Sequence, residues 1–455
     1  MTNFSFLTSS KPQSERLRCR LDSTRTLVYP FLRGRGPERA GTTFGDWRSH
    51  AADPAFFLRH IQPIPWYKVF SKVPPVKRYI FTPGPADVPP EVLLEMARPI
   101  IHHRTPQFSA ALDQARERMK PLMGTSQEVI LLASTGTGAM ESAVVNVLLP
   151  GEHAIFVNGG KFGERWGKLL STFGMVPHEI KVEWGRAVRP EQIEEALKAY
   201  PETKAILVQA SETSTATVHP VPVLGEIARK RGVMLFVDGI TSVGVFEQKM
   251  DEWGIDALVT GSQKALMLPP GLAMIALSPR AWERVQKNKA PRFYFDLNRE
   301  LKAQRDEHTT AWTAAVSLVL GLNKSLEMIL AEGLERVYAR HALMAQATRD
   351  AAQALGLKLI APDNPAPSVT GILAPDGIDT GKVVKFMRDE LGVSVQGGQD
   401  QMKGKLVRIG HMGNLSPFDM LIAVGALEMG LRKQGMELKS GAGVAAVQAR
   451  IAKGV

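Results

Sequence analysis

The chain has 455 residues, of which 44% are hydrophobic and 22% are charged, a composition typical of a globular protein with two or three domains. The single cysteine, Cys19, excludes a disulfide framework, Cys-ligated iron–sulfur clusters and Cys-rich zinc sites. No run of about 18 uncharged apolar residues is present, so no transmembrane helix is predicted.

The net charge of +11 is concentrated near the N-terminus. Residues 1–80 hold 14 lysines and arginines against 5 acids, a charge of +9, so the remaining 375 residues carry only +2. We interpret residues 1–78 as a basic, disordered extension, with an organelle-targeting peptide as the alternative because the segment is rich in Arg and Ser. Regularly spaced aromatic residues do not accompany the basic ones, so neither a nucleic-acid partner nor a membrane is predicted. We expect a cytoplasmic protein.

From Tyr79 onward, short apolar runs alternate with helical patterns. This alternation predicts βαβ units and a mainly parallel sheet, within a large domain at residues 79–331. A second, smaller α/β domain is predicted at residues 332–455. The strands are predicted at 128–134, 153–158, 204–210, 233–239, 256–262, 273–278, 356–361, 367–374 and 405–410. Helices are predicted at 139–149, 162–173, 190–199, 222–231, 332–355 and 380–391, and a long helical pattern, TAAVSLVLGLNKSLEMILAEG, begins after about residue 315.

Ligands of such sheets bind outside the carboxyl ends of the strands. The first predicted strand ends in Ser134-Thr135-Gly136-Thr137-Gly138 and leads into a helix. Glycines let the backbone approach an anion, and the free N–H groups of a helix start point at it, so this turn is a candidate phosphate site. An ordinary Gly-rich turn is the alternative, since neither usual nucleotide fingerprint is present.

Two charged residues follow neighbouring strands. Asp238 ends the run VMLFVD, where a buried carboxylate is costly unless a cation such as a ring nitrogen pairs with it. Lys264 follows the next strand among apolar residues, where a lowered pKa would suit a nucleophilic amine. A turn cap for Asp238 and a solvent-facing Lys264 are the alternatives. An anion site, a carboxylate and a nucleophilic lysine together are what pyridoxal phosphate requires.

Nine ordered motifs between Phe81 and Arg432 resemble the class V pyridoxal-phosphate-dependent aminotransferases, and especially their alanine–glyoxylate and serine–pyruvate (serine–glyoxylate) branch. The resemblance implies fold type I of the pyridoxal-phosphate-dependent transferases, with a mixed, mainly parallel sheet in the large domain. The motifs are FTPGPADVPPEV (81–92), HHRTPQF (102–108), STGTGAMES (134–142), VNGGKFGERW (157–166), QASETSTATVHP (209–220), VDGITSVG (237–244), GSQKALMLPPG (261–271), TTAWTAAVSL (309–318) and KLVRIGHMG (405–413).

The resemblance also implies roles for single residues. Lys264 matches the catalytic lysine that holds the cofactor and moves a proton, and Asp238 matches the partner of the ring nitrogen. Phe162 matches the aromatic that stacks on the ring, where some relatives carry Trp, and plain core packing is its alternative. The remaining cofactor contacts match Thr135, Gly136, Thr137 and Gln263 at the phosphate, Thr213 near the ring hydroxyl, and Thr310 and Thr313 in a segment that reaches the phosphate from the partner subunit.

Two residues match the substrate side of the site. Arg408 matches the arginine that binds the substrate carboxylate, with a structural salt bridge as its alternative, and Gly84 lies in the loop closing that side. The resemblance implies ping-pong transamination by a homodimer with its sites at the subunit interface. The donors are alanine or serine, with aspartate as a further candidate, and the acceptor is glyoxylate or pyruvate.

Three other functions remain open. A lyase on the same fold is the first, although a cysteine desulfurase would need a cysteine in the C-terminal half. A non-catalytic subunit of a redox (hydrogenase) complex is the second, and it would leave Lys264 without a role. Nucleic-acid binding through residues 1–80 is the third. No group of His, Asp and Glu has the sequence spacing of a metal site, so no metal is predicted.

Overall fold

The structure is a computed structural model and describes residues 77–454. Nearly all of the predicted extension 1–78 therefore lies outside the described residues. Among the helices of the described part, none combines the length and apolar character that crossing a membrane would need.

Strands and helices alternate through the first two thirds of the described chain, as predicted. In chain order they are β1 (Tyr79–Ile80), α1 (Pro90–Met96), α2 (Pro106–Met123), β2 (Val129–Leu132), α3 (Gly136–Val147), β3 (His153–Asn158), α4 (Lys161–Thr172), β4 (Val176–Lys181), α5 (Pro190–Ala199), β5 (Ala205–Gln209), β6 (Ser211–Glu212), β7 (Thr217–Val218), α6 (Val221–Arg231), β8 (Met234–Asp238), α7 (Met250–Trp253), β9 (Ala257–Gly261), β10 (Ala273–Leu277), α8 (Pro279–Lys287), α9 (Leu297–Leu301), a π-helical turn (Lys302–Asp306) and α10 (Val316–Glu332).

The C-terminal third adds four helices around a small sheet. Its elements are α11 (Leu334–Ala354), β11 (Lys358–Leu359), β12 (Val369–Leu373), α12 (Thr380–Leu391), β13 (Val393–Ser394), β14 (Gln396–Gly397), a 3₁₀ turn (Asp400–Met402), β15 (Leu406–Gly410), α13 (Asp419–Lys433) and α14 (Ala442–Lys453).

The large sheet has seven strands in the order β2-β10-β9-β8-β5-β3-β4. Strand β10 runs antiparallel to both of its neighbours, and the other pairs are parallel. The predicted mixed, mainly parallel sheet is confirmed. Asp238 pairs in register with Gln209 of β5 and Val259 of β9, so it lies at the carboxyl edge of the sheet.

Hydrophobic cores cover both faces of this sheet. Successive residues of β5, Leu207 and Val208, are fully buried in two different core clusters, one on each face. Side chains of a strand point alternately to opposite faces, so burial on both sides requires the continuous apolar runs seen in the sequence. Because apolar side chains cover both faces at the centre of the sheet, the polar groups that could form a functional site lie at its edges.

The C-terminal sheet has four antiparallel strands in the order β11-β12-β15-β14. The segment that leads into the site belongs to this region, since β1 pairs with β13 and Phe81 is buried in the C-terminal core. The loop at Gly84 thus starts from the C-terminal core and reaches across to Lys264. The predicted division at residue 331 stays a prediction.

Several elements differ from the sequence-based prediction. Helix α3 begins at Gly136, three residues before the predicted start, so the two glycines lie in its first turn. Strand β4 was not predicted because its sequence, VPHEIK, lies at the edge of the sheet with only Ile180 buried. The prediction also omitted the two-residue strands other than β11, and helices α1, α2, α7, α8, α9, α13 and α14.

Candidate active site

A cavity of about 440 Å³ opens at the carboxyl edge of the large sheet. It brings together eight of the twelve predicted site residues with additional polar side chains. Its lining residues are Thr135, Gly136, Thr137, Phe162, Arg165, Ser211, Thr213, Asp238, Ile240, Thr241, Gln263 and Lys264.

The N-terminus of α3 forms one end of the cavity. Thr135 is the N-cap residue, and its side chain makes no capping hydrogen bond to the helix. The first N–H groups of a helix need external acceptors, and the helix dipole favours an anion there. A side chain at position 136 would force Ile240 to move, because a Cβ there would lie 2.3 Å from Cδ1 of Ile240. This end of the cavity therefore suits a phosphate.

Arg165 adds a positive charge at the same end, and the sequence analysis missed it. Its Nη1 donates to Oγ1 of Thr137 at 2.9 Å, and its guanidinium carbon lies 5.0 Å from the ring centroid of Phe162. Arg165 lies three residues after Phe162 on α4, and helical residues at this spacing share a face. That spacing within VNGGKFGERW is the pattern that could have revealed it.

Glu212 fixes the start of α4, and it was also missed. Its buried carboxylate accepts hydrogen bonds from the backbone N–H groups of Phe162 at 3.0 Å and Gly163 at 2.9 Å. Burial raises the pKa of Glu212, and hydrogen bonds from Ser214, Gly163 and Phe162 oppose that rise. Because it holds the first turn of α4, Glu212 is a positioning residue for Phe162 and Arg165.

Asp238 lies on the floor of the cavity at the end of β8. It is 5% exposed and accepts a hydrogen bond from the N–H of Ile240 at 2.9 Å. Burial raises its pKa to about 6, although the hydrogen bond from Ile240 and the charge of Arg165 lower it. The carboxylate is thus ionised at neutral pH with little compensation, and a cation opposite it would be stabilised.

The amine of Lys264 faces the loop from the C-terminal core. Its Nζ donates to the carbonyl oxygen of Pro83 at 2.5 Å, and a Cβ at Gly84 would lie only 2.1 Å from Nζ. Burial lowers the pKa of Lys264 to about 8, and Asp238 opposes this while Arg408 and Arg165 add to it. Close to a tenth of the amine is then neutral at pH 7, about 250-fold more than for an exposed lysine.

Gln263 and Thr213 complete the cavity wall. The Oε1 atom of Gln263 is buried without a hydrogen-bond partner in the described part of the chain, so this amide is free to turn toward a ligand. Thr213 is buried, and its backbone carbonyl accepts a hydrogen bond from Nη1 of Arg408 at 2.9 Å.

Arg408 lies behind that wall, on β15. Its other hydrogen bonds, from Nε and Nη2, reach the carbonyl oxygen of Gly397 at 3.1 and 2.9 Å. Burial lowers its pKa to about 10. Its partners are backbone carbonyls rather than a carboxylate, which disfavours the salt-bridge alternative. A guanidinium has five N–H donors, so two remain for a ligand.

Thr310 and Thr313 do not line this cavity. They border a second cavity of about 370 Å³ together with Tyr294, Glu300 and Trp312. The hydroxyl of Thr310 donates to the carbonyl of Trp312. Within one chain, the structure therefore separates this segment from Lys264.

Residues 78–413 match the family described as Aminotransferase class-V, and the chain belongs to this family. The predicted family and the predicted aminotransferase class of enzyme are confirmed.

Three curated relatives illustrate the family. The chain is 38% identical to the small subunit of soluble hydrogenase from Synechococcus sp., over 81% of this chain and 97% of the relative. It is also 38% identical to L-aspartate–glyoxylate aminotransferase from Paracoccus denitrificans, over 81% and 95% of the two chains. Identity to serine–glyoxylate aminotransferase from Methylorubrum extorquens is 35%, over 82% and 95%.

Solved structures of related enzymes have the same fold. Ureidoglycine–glyoxylate aminotransferase from Bacillus subtilis is similar with a TM-score of 0.80 at 27% identity, over 84% of this chain and 100% of that one. Alanine–glyoxylate aminotransferase from Nostoc sp. is similar with a TM-score of 0.76 at 29% identity, over 79% and 98%. The predicted transferase fold type I is confirmed.

Proposed function

We propose that the chain binds pyridoxal phosphate in the Lys264 cavity and transfers an amino group from a small amino acid to glyoxylate or pyruvate. The observation that carries the proposal is the convergence of three groups on one cavity: the N-terminus of α3 with Arg165, the carboxylate of Asp238, and the amine of Lys264. Each meets a different chemical need of that cofactor.

One end of the cavity suits the phosphate of the cofactor because hydrogen-bond donors converge there. The uncapped start of α3, the hydroxyls of Thr135 and Thr137 and the guanidinium of Arg165 lie at this end, and the side-chain amide of Gln263 could turn its NH₂ group toward it. Charge-assisted hydrogen bonds of this kind are the strong ones. The charge of Arg165 and the partial positive charge of the helix start would offset most of the charge of a phosphate dianion.

The other end of the cavity suits the ring of the cofactor, both in charge and in shape. Asp238 would pair with a protonated ring nitrogen, which relieves the cost of its own burial. Phe162 would pack on the ring face, held in place through the bond from its N–H to Glu212. When bound, pyridoxal phosphate supplies an electron-withdrawing ring that eases bond breaking at the α-carbon of the substrate.

Lys264 would serve as the base for proton transfer. Burial lowers the pKa of its amine to about 8, so a neutral amine is available near neutral pH. Such a base would take a proton from the α-carbon of the substrate and return it on the same side of the cavity. The carbonyl oxygen of Pro83 accepts a hydrogen bond from Nζ and so orients the amine.

Arg408 and the Gly84 loop would bind the substrate carboxylate. Two N–H donors of Arg408 remain after its bonds to backbone carbonyls, and they suit a carboxylate. We propose alanine, serine or aspartate as donor, because the related enzymes are named for these amino acids with glyoxylate.

We further propose a homodimer in which the Thr310–Thr313 segment serves the partner's site. Exposed aromatic side chains lie beside this segment, with Phe293 68% and Tyr294 46% exposed. The ring centroids of Phe293 and Trp312 lie 4.8 Å apart, so they form an apolar patch typical of a subunit interface.

A second candidate function is a subunit of a soluble hydrogenase, for which the Synechococcus relative is named. A purely structural subunit would have no use for a buried lysine and carboxylate facing one cavity, since burying both charges costs stability. Activity of the isolated chain separates the two functions.

The decisive experiment is the absorbance spectrum of the purified chain incubated with pyridoxal phosphate. A visible band that bleaches on addition of alanine, serine or aspartate, with the matching 2-oxo acid released, is expected. Lys264→Ala should abolish the band, whereas the exposed control Lys287→Ala should keep it. A chain that forms no band would overturn the proposal, and a persistent band with release of ammonia would establish a lyase.

A further inference from the structure

Three potential metal ligands meet at the amino edge of the large sheet, far along the strands from the cavity. His153 is the first residue of β3, His178 lies on the neighbouring β4, and Glu202 lies in the turn between α5 and β5. One ligand atom from each lies within 4.8 Å of the other two. The three positions form no sequence motif, which is why no metal site was predicted.

The hydrogen bonding of this cluster is incomplete. Nδ1 of His153 lies 2.9 Å from Nε2 of His178 and 2.7 Å from Oε1 of Glu202. A neutral imidazole nitrogen either carries one hydrogen or offers one lone pair. If Nδ1 of His153 carries the hydrogen and donates it to Glu202, the same hydrogen cannot also form a well-directed bond with Nε2 of His178. If it accepts from His178, its lone pair faces the carboxylate.

We propose that His153, His178 and Glu202 bind a divalent transition-metal ion, with zinc as the best match. Two imidazoles and one carboxylate are a common ligand set for zinc, with water in the fourth position. A metal ion accepts a lone pair from all three atoms at once and so removes the conflict at Nδ1.

The geometry needs only a small adjustment. Zinc–ligand bonds of about 2.1 Å place tetrahedral ligand atoms about 3.4 Å apart. The 2.9 and 2.7 Å contacts must then open by about 0.5 and 0.7 Å, and the third pair of ligand atoms, which lies within 4.8 Å, must reach the same separation. His153 and Glu202 are 31% and 47% exposed, which leaves them free to rotate and lets an ion enter from solvent.

The surroundings hold the ligands in place. The ring of His178 stacks on Tyr200 with centroids 3.5 Å apart, and the N–H of Lys204 donates to the carbonyl of His153 at 2.8 Å. Helix α5 ends at Ala199, just before Glu202, and the C-terminal end of a helix favours a cation.

The test is a zinc titration by calorimetry on the full-length, cofactor-loaded enzyme after chelator treatment. Wild type should bind one zinc ion per chain at this site. His178→Gln should either lose that ion or bind it with an affinity at least about 10-fold lower. Glu202→Gln, in an exposed turn, should weaken the same site. Zinc should also raise the thermal midpoint of wild type and not that of His178→Gln.

A matched control is His308→Gln. His308 also pairs with a carboxylate, since its Nδ1 lies 2.7 Å from Oδ2 of Asp113, but it belongs to no three-ligand group in residues 77–454. It should bind zinc like wild type. Equal zinc binding by wild type, His178→Gln and Glu202→Gln would overturn the proposal, as would an equal loss in His308→Gln. Unchanged transamination in each variant would show that it is folded.

Discussion

The two ends of the seven-stranded sheet carry ionisable groups in opposite environments. At the carboxyl edge, Asp238 is 5% exposed, its pKa is raised to about 6, and the pKa of Lys264 is lowered to about 8. At the amino edge, Glu202 is 47% and His153 31% exposed, and both face solvent. The same sheet thus presents the buried groups of the candidate active site at one edge and potential metal ligands at the other.

The direction of the connecting helices explains why the two edges favour charges of opposite sign. Each connecting helix starts at the carboxyl edge and ends at the amino edge, so its partial positive charge faces the cavity and its partial negative charge faces the other end. Helix α3 begins at the cavity, and α5 ends beside the histidine cluster. Anions are therefore favoured at the first edge and cations at the second.

The largest expected effect comes from removing the amine at the carboxyl edge. Lys264→Ala should lower the transamination rate by at least about 10³-fold, because the base for proton transfer is lost. Steady-state rates with alanine and glyoxylate measure it. Lys287→Ala, an exposed lysine of α8, is the control and should keep the wild-type rate. A loss below 10-fold in the Lys264 variant would remove the assigned role.

Neutralising the carboxylate of Asp238 should have the second-largest effect on the transamination rate. Breaking a buried ion pair costs about 3–5 kcal/mol, so Asp238→Asn should lower the transamination rate by about 200- to 4,000-fold. The cofactor-free variant should be no less stable at neutral pH than wild type, since burial raises the pKa of Asp238 more than the hydrogen bond from Ile240 and the charges of Arg165 and Lys264 lower it. The exposed Asp376→Asn is the control. A large fall in thermal midpoint without cofactor would contradict this account.

A smaller effect is expected at the phosphate end. Arg165→Gln removes a charged donor beside Thr137, worth about 1.5–3 kcal/mol, so cofactor affinity should fall about 10- to 100-fold. The rate at saturating cofactor should change less than the affinity. Arg388→Gln, an exposed arginine paired with Asp389 on α12, should leave affinity unchanged. Cofactor titration followed by absorbance distinguishes these outcomes.

The fold was largely predictable because its strands are buried on both faces. The apolar runs that contain β5, β8 and β9 are continuous, and no other arrangement buries them so completely. Strand β4 could not be predicted from its sequence because an edge strand with solvent on one side needs no apolar run. The start of α3 was misplaced because glycines mark turns in a sequence and yet are tolerated in a first helical turn.

The site was predictable where a residue ends a strand and unpredictable where contacts come from elsewhere in the chain. Asp238 and Lys264 follow apolar runs directly, which made them visible. Glu212 binds a helix start 50 residues earlier, and nothing in the local sequence indicates it. His153, His178 and Glu202 likewise meet only because β3 and β4 pair in register beside one turn.

The smallest effect concerns the pKa of Lys264 itself. In the cofactor-free chain, the neutral amine reacts with pyridoxal phosphate, so the rate of visible-band formation should rise with pH to a midpoint near 8. Between pH 7 and the plateau the increase should be about 10-fold. An exposed lysine would place the midpoint above pH 10. Stopped-flow absorbance at low cofactor concentration measures it.

Two variants shift that midpoint in opposite directions and so test its cause. Asp238 raises the pKa of Lys264, so Asp238→Asn should move the midpoint to lower pH. Arg165 lowers the same pKa, so Arg165→Gln should move it to higher pH. Exposed Asp376→Asn should leave it in place. If the midpoint stays near 8 in both site variants, burial alone sets the reactivity of Lys264, and the charges at the carboxyl edge act only on the bound cofactor.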